Sequence, residues 1–157
     1  MRKIIPFVVF MVLAMMGCTS LDCPLNNTVY TKYKLMGDNK TLKDTLTIST
    51  KKIEGTDSVL INKDVNVDSL PMSYSLDEDV LFFEIHTLSK QVFKDTVTVS
   101  KENRSHFESV DCSPSFFHTI TDVKTTHNYI DSIVINQKEV NYDASKAHFY
   151  IYFGSRN

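Results

Sequence analysis

The sequence predicts an all-β domain, an antiparallel β-sandwich or barrel-like sandwich of about 8–10 short strands. From Thr28 onward apolar and polar residues alternate with a period of two, which places one set of side chains on each face of a strand. Turn-forming clusters of Gly, Asp, Asn and Ser interrupt that alternation at near-regular spacing. No stretch sustains the 3.6-residue periodicity of an amphipathic helix. Short strands at this spacing are the pattern of sandwiches and barrels, and hairpins are their economical connection.

Val29, Thr31, Tyr33 and Leu35 share one face of a first strand that stops at Gly37-Asp38-Asn39. Residues 45–50 form a second, with Leu46 and Ile48 inward, and Glu54-Gly55-Thr56-Asp57 turns the chain into a third over 58–61. After Asp68-Ser69-Leu70-Pro71, the alternation of Met72, Tyr74 and Leu76 with serines predicts a strand over 72–76. The acidic trio Asp77-Glu78-Asp79 reads as a hairpin tip. Residues 80–86 are apolar on both faces, as in a central strand covered on both sides. A strand over 92–100 is then expected to turn at Lys101-Glu102-Asn103 into another over 105–111. Residues 116–125 are extended, residues 130–140 read as a hairpin around Asn136-Gln137-Lys138, and residues 148–153 close the chain. Phe82, Phe83, Phe116, Phe117, Phe149 and Phe153 are the expected aromatic core. Tyr150 and Tyr152 lie on the opposite face of the last strand, where they cover a second buried face or stack on a ligand.

Ahead of this domain stand Arg2 and Lys3, an apolar run from Ile4 to Met16, then Gly17 and Cys18. A charged start, an apolar middle and a small residue before the cut are the grammar of a secretory signal. The run is shorter than the roughly 18 residues a membrane-crossing helix needs. Ala14-Met15-Met16-Gly17-Cys18 resembles the bacterial lipobox. That resemblance implies cleavage after Gly17, a diacylglyceryl thioether on Cys18, and an acylated amine. The organisation expected is therefore a cleaved signal over 1–17, a lipidated tether over 18–27, and the β-sandwich over 28–157. The implied address is the cell envelope, with outer-membrane lipoprotein favoured by Thr19 after the cysteine and the periplasmic or surface face left open.

The 157-residue chain carries 19 acidic against 17 basic side chains, and loss of Arg2 and Lys3 makes the mature chain more acidic still. A domain of this size can bury a full core without metals. Without a basic stripe, nucleic acid is not an expected partner. If lipid occupies Cys18, the two cysteines left over, Cys23 and Cys112, read as one disulfide in an oxidising compartment. The competing reading of Cys112 as a nucleophile has Asp111 beside it and no adjacent base.

The order of features resembles a family of small, uncharacterised Bacteroidetes lipoproteins defined only as a domain of unknown function. It is carried by the lipobox, the cysteine five residues on, Asp57-Ser58-Val59-Leu60-Ile61-Asn62, Leu70-Pro71-Met72, Asp111-Cys112 and Ile130-Asp131-Ser132-Ile133-Val134-Ile135. The family implies no activity. Asp followed by Ser or Thr and an aliphatic residue recurs at Asp44-Thr45-Leu46, Asp57-Ser58-Val59, Asp68-Ser69-Leu70, Asp95-Thr96-Val97 and Asp131-Ser132-Ile133. This is similar to the O-glycosylation sequon of exported Bacteroidetes proteins, which makes Thr45, Ser58, Ser69, Thr96 and Ser132 candidate acceptors. Turn-to-strand grammar generates the same phrase.

Motifs for a zinc hydrolase, a CxxC pair, a nucleophile elbow and a phosphate-cradling loop are absent from the sequence. His118, His127 and His148 are conceivable metal ligands across strands, but hydrogen-bonded histidines are the stronger expectation because no short ligand spacing links them. Asp77, Glu78 and Asp79 offer hard oxygen donors for calcium but lack the spacing of a calcium loop. The reading is a non-catalytic, lipid-anchored envelope protein with no cofactor. Its role is structural or the binding of an envelope protein partner, the alternative being a glycan- or calcium-binding accessory module at the surface.

Overall fold

The computed structural model describes residues 23, 28–37, 44–51, 58–63 and 69–154. The expected signal, Cys18 and most of the tether lie outside the described residues. Among the described residues there are ten strands: β1 (Tyr30–Met36), β2 (Thr45–Thr50), β3 (Ser58–Lys63), β4 (Ser69–Pro71), β5 (Glu78–His86), β6 (Val92–His106), β7 (Ser115–Thr125), β8 (Ile130–Ile135), β9 (Glu139–Val140) and β10 (Phe149–Phe153). They form two sheets, ordered β4-β1-β10-β8 and β3-β2-β5-β6-β7-β9. The result is an all-β sandwich rather than a closed barrel.

The core is made by alternation. β1 turns Thr31, Tyr33 and Leu35 inward and β10 adds Phe149, Ile151 and Phe153, while β2 and β5 supply Leu46, Ile48, Leu81, Phe83 and Ile85 from the facing sheet. Tyr33 stacks on Phe149 at a centroid distance of 4.9 Å. β5 is central in its sheet as expected, but Phe82 on its other face is only half-buried, as are Phe116 and Phe117 in β7. Pairing is antiparallel except that β1 runs parallel to β10, which joins the first strand to the last. At the end of β1, Gly37 takes φ of +80°, a left-handed conformation that suits a residue without Cβ.

Four sequence expectations require correction. Residues 72–76 are not a strand: the chain leaves β4 after Pro71, Met72 plugs the core, and Tyr74 and Leu76 are exposed. Asp77-Glu78-Asp79 is not a hairpin tip, because Glu78 and Asp79 already pair with Ser100 and Val99. Lys101-Glu102-Asn103 is no turn, since β6 runs on to His106 paired with β7, and residues 107–114 form the connection where a strand over 105–111 was expected. Finally, β8 and β9 are not a hairpin. β8 pairs with β10 in one sheet, β9 with β7 in the other, and residues 136–138 cross between them on hydrogen bonds from Asn136 N to His148 O and from Ile120 N to Lys138 O, both 2.8 Å.

Candidate functional site

Polar and ionisable groups collect inside one end of the sandwich. The inward row of β6 reads Asp95, Val97, Val99, Lys101, so alternation alone carries a lysine into the interior. Its side chain is fully buried. Nζ reaches Asp79 Oδ2 at 3.3 Å and Ser73 Oγ at 3.2 Å, and it also donates to Leu76 O. Asp79 in turn accepts the Ser73 N–H at 3.2–3.3 Å. These contacts hold the 72–77 segment over the end of the core, with Asn103 Nδ2 adding a bond to Leu76 O at 2.9 Å.

His118 lies beneath, its Nδ1 2.7 Å from Asn103 Oδ1. Burial and then the Lys101 charge push its pKa down to about 4, partly offset by Asp79. The ring is therefore neutral at pH 7. Tyr33 closes the cluster: burial drives its phenol well above the ordinary range, a side-chain hydrogen bond with Thr31 opposes this, and Asp79 adds to the rise. A cleft of about 470 Å³ opens beside the cluster, lined by Leu60, Met72, Leu76, Val80 and Leu81 with Ser73 and Asp79 at its polar side.

The other expected site residues are scattered. His148 is buried and accepts the Lys32 N–H on Nδ1 at 2.9 Å; burial holds its pKa below the usual value, opposed by the Glu139 backbone and Asp143. His127 sits at φ of +59° in the turn after β7 and bonds Asp131 O at 2.8 Å. Each histidine is thus engaged separately, and among the described residues no group of three His, Cys, Asp or Glu side chains could hold a metal ion. The acidic trio also diverges: Asp77 meets Asn103, Glu78 meets the Ser100 hydroxyl, and Asp79 holds Lys101, which a calcium ion there would have to displace. Tyr150 and Tyr152 are half-buried on the outer face of their sheet.

Thr45, Ser58 and Ser69 are the first residues of β2, β3 and β4. Thr96 and Ser132 lie within strands, half-buried. The carboxylate before Thr96 is not free for recognition, since Asp95 accepts Asn128 N (2.6 Å), Thr126 Oγ1 (2.7 Å), Tyr129 N (2.7 Å) and Ile130 N (2.8 Å). Cys23 and Cys112 are disulfide-bonded with a Cα–Cα distance of 5.5 Å, which removes Cys112 as a free nucleophile.

The sequence reading missed Lys101 and Asn103 because a Lys-Glu-Asn run resembles a turn. The signal available was parity, for Lys101 continues the Val97, Val99 face.

Fold and interior together define a two-sheet β-sandwich with an internal ion pair and a disulfide to its N-terminal segment. The chain belongs to a family of unknown function, DUF6452, whose model matches residues 45–153. No curated protein and no solved structure matches it.

Proposed function

We propose that the protein is a non-catalytic, lipid-anchored module of a bacterial cell envelope, of the Bacteroidetes lipoprotein kind, held at the outer membrane by lipid on Cys18 and serving as a structural or partner-binding domain. The observation that carries this reading is the Cys23–Cys112 disulfide. It accounts for two of three cysteines and leaves Cys18, the residue at the end of the lipobox-like stretch, as the remaining thiol. A disulfide suits an oxidising, exported location. Two or three acyl chains at about 0.8 kcal/mol per buried methylene make an essentially permanent anchor. The absence of catalysis is supported by how the interior groups are engaged: Lys101, Asp79, Asn103 and His118 hold one another and the 72–77 segment, and Asp95 holds the β7–β8 corner.

The test is intact-mass measurement and fractionation of the protein from its native host. The mature chain is expected to begin at Cys18 with a diacylglyceryl and acyl increment, to sediment with membranes, and to become soluble in a Cys18→Ser variant. A soluble protein of unmodified mass would overturn the reading.

A further inference from the structure

The loop joining β6 to β7 leaves two apolar side chains in water, Phe107 at 59% exposure and Val110 at 96%. Val110 stands at the tip of a turn closed by Cys112 N to Ser109 O at 3.2 Å. Single exposed apolar residues are ordinary. These two have aromatic neighbours on both faces of the same end. On the outer face His106 stacks on Phe117 at 4.3 Å, and Tyr142, 45% exposed, meets Phe117 edge-on at 5.0 Å. On the inner side Tyr74, 66% exposed, stacks on Phe116 at 5.2 Å. Tyrosine, with an apolar body and a polar tip, suits the boundary between water and hydrocarbon.

The disulfide fixes which end of the molecule faces the anchor. Cys112 lies in this loop and is bonded to Cys23, five residues after Cys18. Five residues span at most about 17 Å when fully extended. Lipid on Cys18 would therefore keep Phe107 and Val110 near the headgroups, whereas the 87–91 loop lies at the far end of the 15-residue β6, about 50 Å along the strand. The charge of the loop selects the surface. Residues 107–114 contain Glu108 and Asp111 and no Lys or Arg, which disfavours anionic lipid. We propose that Phe107 and Val110, flanked by Tyr74 and Tyr142, dock the sandwich end-on against a zwitterionic bilayer surface, an orientation that rests on the lipidation of Cys18.

The chain contains no tryptophan, so a single introduced indole reports one position. The full chain carrying Phe107→Trp, Val110→Trp or, at 80% exposure in the far loop, Leu88→Trp is purified from native membranes and placed in phosphatidylcholine vesicles with brominated acyl chains. Indoles at 107 and 110 should shift to the blue and be quenched at least about twofold, while that at 88 stays unquenched. Vesicle-bound, lipid-modified protein whose indoles at 107 and 110 remain unquenched, or are quenched no more than that at 88, overturns the docking and leaves the anchor intact. A mass without lipid overturns both.

Discussion

Lys101 is stabilised where it lies only because Asp79, Ser73 and Leu76 O meet its three protons. Two charges taken out of water cost several kcal/mol each, and their attraction offsets this only while both partners remain. Lys101→Met, similar in length and apolar, is therefore expected to lose about 3–5 kcal/mol by leaving the Asp79 carboxylate buried and unpaired. Removing the second charge as well, in Lys101→Met with Asp79→Leu, should recover most of that loss. Urea unfolding of the two single variants and the double variant measures the coupling. Additive losses would show that the pair does not hold the 72–77 segment as its geometry suggests.

At the scale of the element, Asp95 ties β6 to the β7–β8 corner through three backbone N–H groups and the Thr126 hydroxyl. Burial alone would raise its pKa, but the bonds from Ile130, Asn128, Thr126 and Tyr129 outweigh it and hold the carboxyl below the usual range. A folded-state pKa lowered in this way contributes stability that is fully present above the unfolded value, near 3.9, and is lost as pH falls through the folded value. Asp95→Asn cannot supply four acceptor sites and presents donors to donors. It should cost about 3 kcal/mol or more at pH 7, and the gap to the parent chain should narrow below about pH 4. Urea midpoints across that range check it, and a gap independent of pH would contradict it. The elements themselves were legible in unequal measure. β2 and β10 were read from alternation because each buries one face, whereas β7, read only as an extended stretch, changes the parity of its buried side chains at a bulge opposite Ser100 and Lys101. Residues 72–76 alternate as well but follow Pro71 into a cap held by side chains, which a period of two cannot distinguish from a strand. The candidate site was less legible, because Lys101 is inward only if β6 continues past Ser100, and that depends on β7 lying beside it.

The whole molecule depends on a strand outside the family match. The matched region begins at Thr45, whereas β1 ends at Met36. Yet β1 lies between β4 and β10, pairing antiparallel with one and parallel with the other, so it joins two strands that do not otherwise pair. No hairpin signal announces this, and a parallel neighbour more than 100 residues away is invisible to local periodicity. Without β1, Tyr33 and Leu35 leave the core, and Leu70, Phe149 and Ile151 lose their cover. At about 1.5–3 kcal/mol for each large apolar side chain re-exposed, the loss rivals the roughly 5–15 kcal/mol by which a whole domain is stable. A chain of residues 45–157 is therefore expected to lack a cooperative thermal transition by circular dichroism, whereas residues 18–157 should melt in one step. The truncation also removes Cys23, whose bridge across 89 residues contributes about 4–5 kcal/mol in the chain-entropy model. Residues 18–157 with Cys23→Ser and Cys112→Ser separate the two effects. That variant should still melt cooperatively, at a lower temperature, and a single sharp transition in residues 45–157 would mean that the four-stranded sheet closes without its second strand.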